Sequence, residues 1–172
     1  MQLISEAYRQ EQERLHENPN YGVASIEYAP IVANLINKIG ITELLDYGAG
    51  KGNLAKHLQV NHPVEVRHYD PGRPEWSHTP DSAQMVCCID VLEHIEPELL
   101  DNVLDDLDRC VEFYGFFTVH TGPAMKKLSD GRNAHLIQEG PDWWLPKIMQ
   151  RFDLLQFCAQ PNGFYVVVKR GD

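Results

Sequence analysis

The stretch Leu44 to Leu58, LLDYGAGKGNLAKHL, decides how the rest of the chain is read. An apolar run passes into three glycines on alternate positions, Gly48, Gly50 and Gly52, and then into residues of helical pattern. A glycine-rich turn between strand and helix lets backbone come close to a ligand, and the helix start beyond it favours polar or anionic groups. The spacing discriminates among ligands. A phosphate-cradling P-loop needs Gly where Leu45 stands and Ser or Thr where Gly52 stands, so that reading fails. The dinucleotide fingerprint wants a third Gly where Asn53 stands; Asp70, at the end of the next strand, is placed to grip a ribose, and this reading stays open. A third reading starts from Asp46, two residues before Gly48, whose carboxylate would meet a positively charged amine while the glycines admit close backbone contact.

Working outward, residues 1–40 read as a helical lead-in: a polar helix from Ser5 to Glu17, a break at ENPNYG, then ASIEYAPIVANLINKIG with Val32, Leu35, Ile36 and Ile39 on one face and Gly40 as its stop. From Ile41 strands and helices alternate: TELLDY, helix GNLAKHLQ, VEVRHYD, a Pro-rich loop, AQMVCCID, helix PELLDNVLDDLDRC and YGFFTVHT. That alternation predicts a mostly parallel sheet with helices on both faces. In the PELLDNVLDDLDRC helix, Leu100, Val103, Leu104 and Leu107 form the buried stripe, leaving Asp101, Asp105, Asp106 and Asp108 to water. After a turn-rich segment and a helix around PDWWLPKIMQRF, the apolar runs DLLQFCAQ and FYVVVKR flank PNG, which predicts an antiparallel carboxy-terminal hairpin. The chain is expected to form a single domain, 1–172, comprising the lead-in and a Rossmann-like core over 41–172.

DYGAGKG, the acidic strand end of VEVRHYD, the segment CCIDVLEHI and the final hairpin, in that order, resemble the class I S-adenosylmethionine-dependent methyltransferases, in particular those with a DVLEH segment after the fourth strand. The resemblance runs from Ile41 to the carboxy terminus. It implies a Rossmann-like, seven-stranded sheet with an antiparallel last strand, and S-adenosylmethionine as cofactor. The implied cofactor-binding residues are Asp46, Tyr47, Gly48, Ala49, Gly50, Asp70, Pro71 and Asp90, with Asp70 on the ribose. One departure stands out: fourteen residues separate Asp70 from Met85, where the family fits a helix and a further strand. The crossover helix is therefore expected to be reduced to a turn, and the acidic residue that commonly meets the adenine amine has no counterpart. Trp76, in that loop, reads as a plug over the core.

Methyl transfer from a sulfonium is an in-line displacement, so the protein must align donor and acceptor and handle a proton if the acceptor is a hydroxyl. Asp90, Glu93, His94, His120 and His135 border the carboxyl ends of the strands, where ligands collect in open parallel sheets. Of these, His94 and His135 are the catalytic candidates, His94 as a general base. Asp90, Glu93, His94 and the distant His135 also resemble the divalent-ion ligands of small-RNA ribose methyltransferases. The same letters occur in methyltransferases that need no metal, and no metal is expected here. Lys126, Lys127 and Arg132 lie together in one loop and would suit an anionic acceptor; Trp143 and Trp144 read as packing residues.

The totals narrow the partners. Fifteen Lys and Arg against 25 Asp and Glu give a net charge of -10, which disfavours nucleic acid and anionic membrane surfaces. No apolar run approaches the ~20 residues that span a bilayer, and a cytoplasmic protein is expected. Cys87, Cys88, Cys110 and Cys158 have no metal or disulfide spacing and read as reduced core residues. The expected function is S-adenosylmethionine-dependent methylation of a small metabolite or sugar, anionic acceptors being one option. The alternatives are a metal-assisted RNA 2'-O-methyltransferase and a non-catalytic S-adenosylmethionine-binding regulatory protein.

Overall fold

The computed structural model describes residues 1–171. Strands β1 (Glu43–Tyr47), β2 (Glu65–Tyr69), β3 (Ala83–Ile89), β4 (Val111–His120), β5 (Phe152–Gln160) and β6 (Gly163–Arg170) form one sheet in the order β2-β1-β3-β4-β6-β5. Neighbours among β2, β1, β3 and β4 are parallel, and β6 runs antiparallel to both β4 and β5. This is the expected α/β, Rossmann-like sheet with an antiparallel hairpin, except that it has six strands rather than seven. The missing strand is the one the short Asp70–Met85 interval leaves no room for; a single 3-10 turn at Pro74–Trp76 joins β2 to β3.

Successive side chains on a strand face opposite ways, and each face has its own helices. On one face Leu45, Val86, Cys88, Phe117 and Val166 pack with α4 (Leu100–Cys110) and α5 (Pro141–Ile148). On the other, Leu44, Met85, Cys87, Phe116 and Val167 pack with α2 (Ala24–Ile39) and α3 (Asn53–His57). The inward stripe of α2 is Ala29, Val32, Ala33 and Ile36; Ile39, expected on it, is exposed in the last turn of the helix. Helix α4 passes straight into β4 at Val111, so that strand begins earlier than the sequence suggests. Asp106 corrects the solvated-face reading, being buried against Tyr47. Cys87, Cys88 and Cys110 are buried thiols, while Cys158 is half-buried on β5.

Helix α1 (Glu6–His16) starts at Ser5, whose hydroxyl accepts from the Tyr8 N–H at 3.2 Å, and Arg9 bridges Glu6 and Glu13 along its outer side. Its inner side, Tyr8 and Leu15, packs with Leu128 and Ala134 of the β4–α5 connection. Ser5 is also tied to Glu96 by two bonds of 2.8 and 2.6 Å. The helix is thus laid across the carboxyl ends of the parallel strands. No helix among the described residues is long and apolar enough to cross a membrane.

Candidate active site

The glycine turn follows β1 directly. Gly48, Gly50 and Gly52 have φ of 81°, 54° and 68°, the left-handed region that glycine enters without steric cost. The N–H groups of Gly48 and Ala49 donate to the Tyr69 carbonyl at 2.7 and 3.0 Å. Asp70 then ties the turn after β1 to the turn after β2: one carboxylate oxygen accepts from Gly50 N–H at 2.7 Å and the other from Gly72 N–H at 2.8 Å. Each oxygen keeps acceptor capacity toward a ligand hydroxyl. Asp46 sits beside them, 3% exposed, with Oδ2 buried and without a partner. Burial, with the charge of Asp70 adding to it, pushes its pKa up to about 7.

These residues open onto a cavity of about 590 Å³, lined by Asp46, Gly48, Ala49, Gly50, Asp70 and Pro71 at one end and by Asp90, His94, His120, Lys126 and His135 at the other. Helix α1 and the segment after it cover it with Tyr8, Gln12, His16 and Tyr21. A ligand amine would supply the charge partner that Asp46 lacks, and the glycines leave room for close contact, so the residues present fit S-adenosylmethionine. Tyr47 does not reach the cavity with its side chain, which lies in the α4-side core with its hydroxyl on Asp106.

Asp90, His94 and His135 cluster at the opposite end, with Glu93 buried behind them. Asp90 carries a φ of 52°, the one positive value among the described non-glycine residues; its backbone N–H donates to Thr118 Oγ1 and its carboxylate accepts back from the same hydroxyl at 3.1 Å. Glu93 is fully buried; Oε1 accepts from His120 N–H at 2.9 Å, and the carboxyl group also bonds to the Asp90 side chain. Burial and the neighbouring Asp90 charge raise its pKa well above the usual range. Nδ1 of His94 faces the Ala134 carbonyl at 2.9 Å and Nδ1 of His135 the Gly122 carbonyl at 2.7 Å. A carbonyl only accepts, so both Nδ1 atoms carry the proton and both Nε2 atoms present a lone pair. Burial, reinforced by His135, pushes His94 down to about 3, and burial lowers His135 as well. One ligand atom each from Glu93, His94 and His135 lies within 4.8 Å of the others, a grouping that Asp90 does not join.

Of the basic trio, only Lys126 reaches the cavity; Lys127 is exposed and Arg132 pairs with Asp130 at 2.8 Å. Trp76 stacks on His68 with ring centroids 4.5 Å apart and does not line the cavity. Trp144 is core, its indole N–H on the Glu139 carbonyl at 3.1 Å, and Tyr28 packs on Phe116 and Tyr165. Sequence reasoning missed Gln12 and His16, four residues apart on what is outwardly a charged, solvated helix. Their helical spacing put them on one face, but nothing local said which face met the site.

Sheet order, glycine turn and cavity together define an α/β enzyme of the Rossmann-like methyltransferase fold. A family model described as "Methyltransferase domain" matches residues 6–167, and the chain belongs to that family; it is an S-adenosylmethionine-dependent methyltransferase. The solved structures it resembles include a Burkholderia thailandensis 1,6-didemethyltoxoflavin-N1-methyltransferase with bound 1,6-didemethyltoxoflavin and S-adenosylhomocysteine. That likeness has 15% identity and a TM-score of 0.66, covering 100% of this chain and 93% of the other. The DhpI–S-adenosylhomocysteine complex is 16% identical, with TM-score 0.65 and coverage of 98% and 99%. The mitomycin 7-O-methyltransferase MmcR is 11% identical, with TM-score 0.66, covering 94% of this chain and 61% of its own. No curated protein matches the sequence.

Proposed function

We propose that this methyltransferase acts on a small metabolite or sugar. The observation that carries the reading is the cavity: at about 590 Å³ it lies within the ~300–1,000 Å³ usual for small-ligand sites, and α1 roofs it where a macromolecule would need open access. When bound, S-adenosylmethionine supplies an electrophilic methyl group. Asp46 holds the ligand amine, Asp70 the ribose, and Gly48, Ala49, Gly50 and Pro71 form the bed beneath. At the far end the neutral imidazole of His94, its pKa held down at about 3 by burial, orients the acceptor, His135 receives its proton, and Lys126 favours acceptors bearing negative charge. The net charge of -10 supports a small acceptor over a nucleic acid. Transfer of a labelled methyl group by the purified protein to components of a metabolite extract is the test; transfer to an RNA pool alone overturns it, and cofactor binding with no transfer to either supports the non-catalytic alternative.

A second reading, metal-assisted methylation of a ribose hydroxyl, is favoured by one observation. Glu93 is grouped with two imidazoles whose Nδ1 protons are already committed to carbonyls, the donor arrangement that fixes histidine as a ligand. Glu93, His94 and His135 would hold a divalent ion, which there would lower the pKa of a bound hydroxyl. Activity that survives a chelator supports the first reading; loss that added divalent metal restores supports the second.

A further inference from the structure

Two side chains of α1 reach the glycine end of the cavity with unmet hydrogen-bonding capacity. Gln12 Nε2 and His16 Nδ1 are both buried and both without a partner. The Tyr21 hydroxyl donates to Gln12 Oε1 at 3.5 Å, which orients the Gln12 amide. The carboxamide oxygen is thereby engaged, and its NH2 group, beside the Tyr8 hydroxyl oxygen, keeps a second hydrogen for the cavity.

The stem of Gln12 and the ring of His16 stand over the residues that Asp70 organises. A Cβ built on Gly72 would lie 3.5 Å from Gln12 Cβ, and one built on Gly50 would lie 3.0 Å from His16 Cε1. Gly50 and Gly72 are the two backbone donors to the Asp70 carboxylate. On this side the β2–β3 connection contributes no helix, only the turn at Pro74–Trp76, whose Trp is stacked away on His68. We propose that α1 supplies what that connection lacks: Gln12 and His16 recognise the adenosine half of the cofactor. Gln12 donates from its amide to an acceptor on the nucleoside, and His16 Nδ1 bonds a ribose hydroxyl beside Asp70. The inference rests on the reading of Asp70 as the ribose residue.

Calorimetry with two probes tests it: S-adenosylhomocysteine, and 5'-methylthioadenosine, which lacks the amino-acid half. Gln12→Ala and His16→Ala are each expected to weaken both probes by roughly tenfold, the scale of one buried hydrogen bond lost. Gln12→Glu keeps the size and the Tyr21 contact but has no amide donor, and is expected to lose a similar factor. Ligand-free melting curves identify any variant in which α1 has come loose, and Gln12→Glu then carries the test. Unchanged affinity in all three variants overturns the inference while leaving the cofactor assignment intact. A loss for S-adenosylhomocysteine alone also overturns it, placing these side chains on the amino-acid half. If the unaltered protein binds neither probe, the cofactor assignment falls and this inference with it.

Discussion

The Tyr47 hydroxyl donates to Asp106 Oδ2 at 2.8 Å inside the core, joining β1 to α4. Arg109 closes the other side of the same carboxylate, Nε to Oδ1 at 3.0 Å. Removing the phenol would leave a buried carboxylate oxygen without its donor, at a cost of about 1.5–3 kcal/mol. Tyr47→Phe is therefore expected to lower the unfolding free energy by that amount, read from denaturant titration, while leaving S-adenosylhomocysteine affinity unchanged, since the side chain is outside the cavity. A variant as stable as the parent would show that Arg109 alone satisfies Asp106.

Asp46 makes stability depend on pH in a stated direction. Its folded pKa of about 7, set by burial and the Asp70 charge, exceeds the unfolded carboxylate value of ~3.9. Between those values the folded state keeps a proton that the unfolded chain has released. The contribution of Asp46 therefore falls as pH rises from about 4 to about 7 and is level above that. Ligand-free Asp46→Asn is expected to gain melting temperature over the parent progressively across this interval, and to lose affinity for the cofactor. A constant difference between the two proteins from pH 5 to pH 8 would count against a raised pKa.

Gly48 is held by the protein itself as well as by any ligand. A Cβ there would lie 2.3 Å from Val91 Cγ2, on a backbone with φ of +81°. Gly48→Ala is expected to destabilise through both the clash and the left-handed backbone, the latter worth about 1–2 kcal/mol. Adding Val91→Ala should recover the clash component only. Full recovery in the double variant would show that the backbone conformation is unstrained for alanine.

Lys126 and Lys127 differ by one position and only Lys126 lines the cavity. With an anionic acceptor, Lys126→Ala should raise KM severalfold with kcat little changed, because charge pairing is removed from bound substrate and transition state alike. Lys127→Ala should match the parent. Equal effects of the two would mean a diffuse field rather than a contact.

The sheet order was not legible, since it is set by pairings between distant segments. The strands and the antiparallel hairpin were legible because each buried strand is a short apolar run punctuated by glycine, proline or a polar helix, a local signal. The glycine turn and Asp70 were legible for the same reason: their meaning lies in spacing along the chain. Asp106 was not, since its helical position reads as solvent-facing until Tyr47 arrives from 59 residues away. Gln12 and His16 were hidden in the same manner. The charges on α1 mark its outer side, whereas its inner side is defined by contacts with Gly50, Gly72 and the loop around Ala134. The grouping of Glu93, His94 and His135 was only partly legible, since His135 reaches it from a loop much further along the chain and Asp90, at a positive φ, bonds to Thr118 instead of joining the three.

Strand β5 lies at the edge of the sheet, with Leu155 and Phe157 51% and 40% exposed, and its register with β6 slips between Leu154 and Gln156. An apolar edge strand is a template on which a second molecule can add a strand, and a bulge interrupts the row of hydrogen-bonding groups such addition needs. The irregularity at Leu155 thus guards colloidal behaviour. Deleting that one residue would restore an even ladder and turn β5 into an adhesive edge, so that the protein would precipitate at concentrations where the parent stays dispersed.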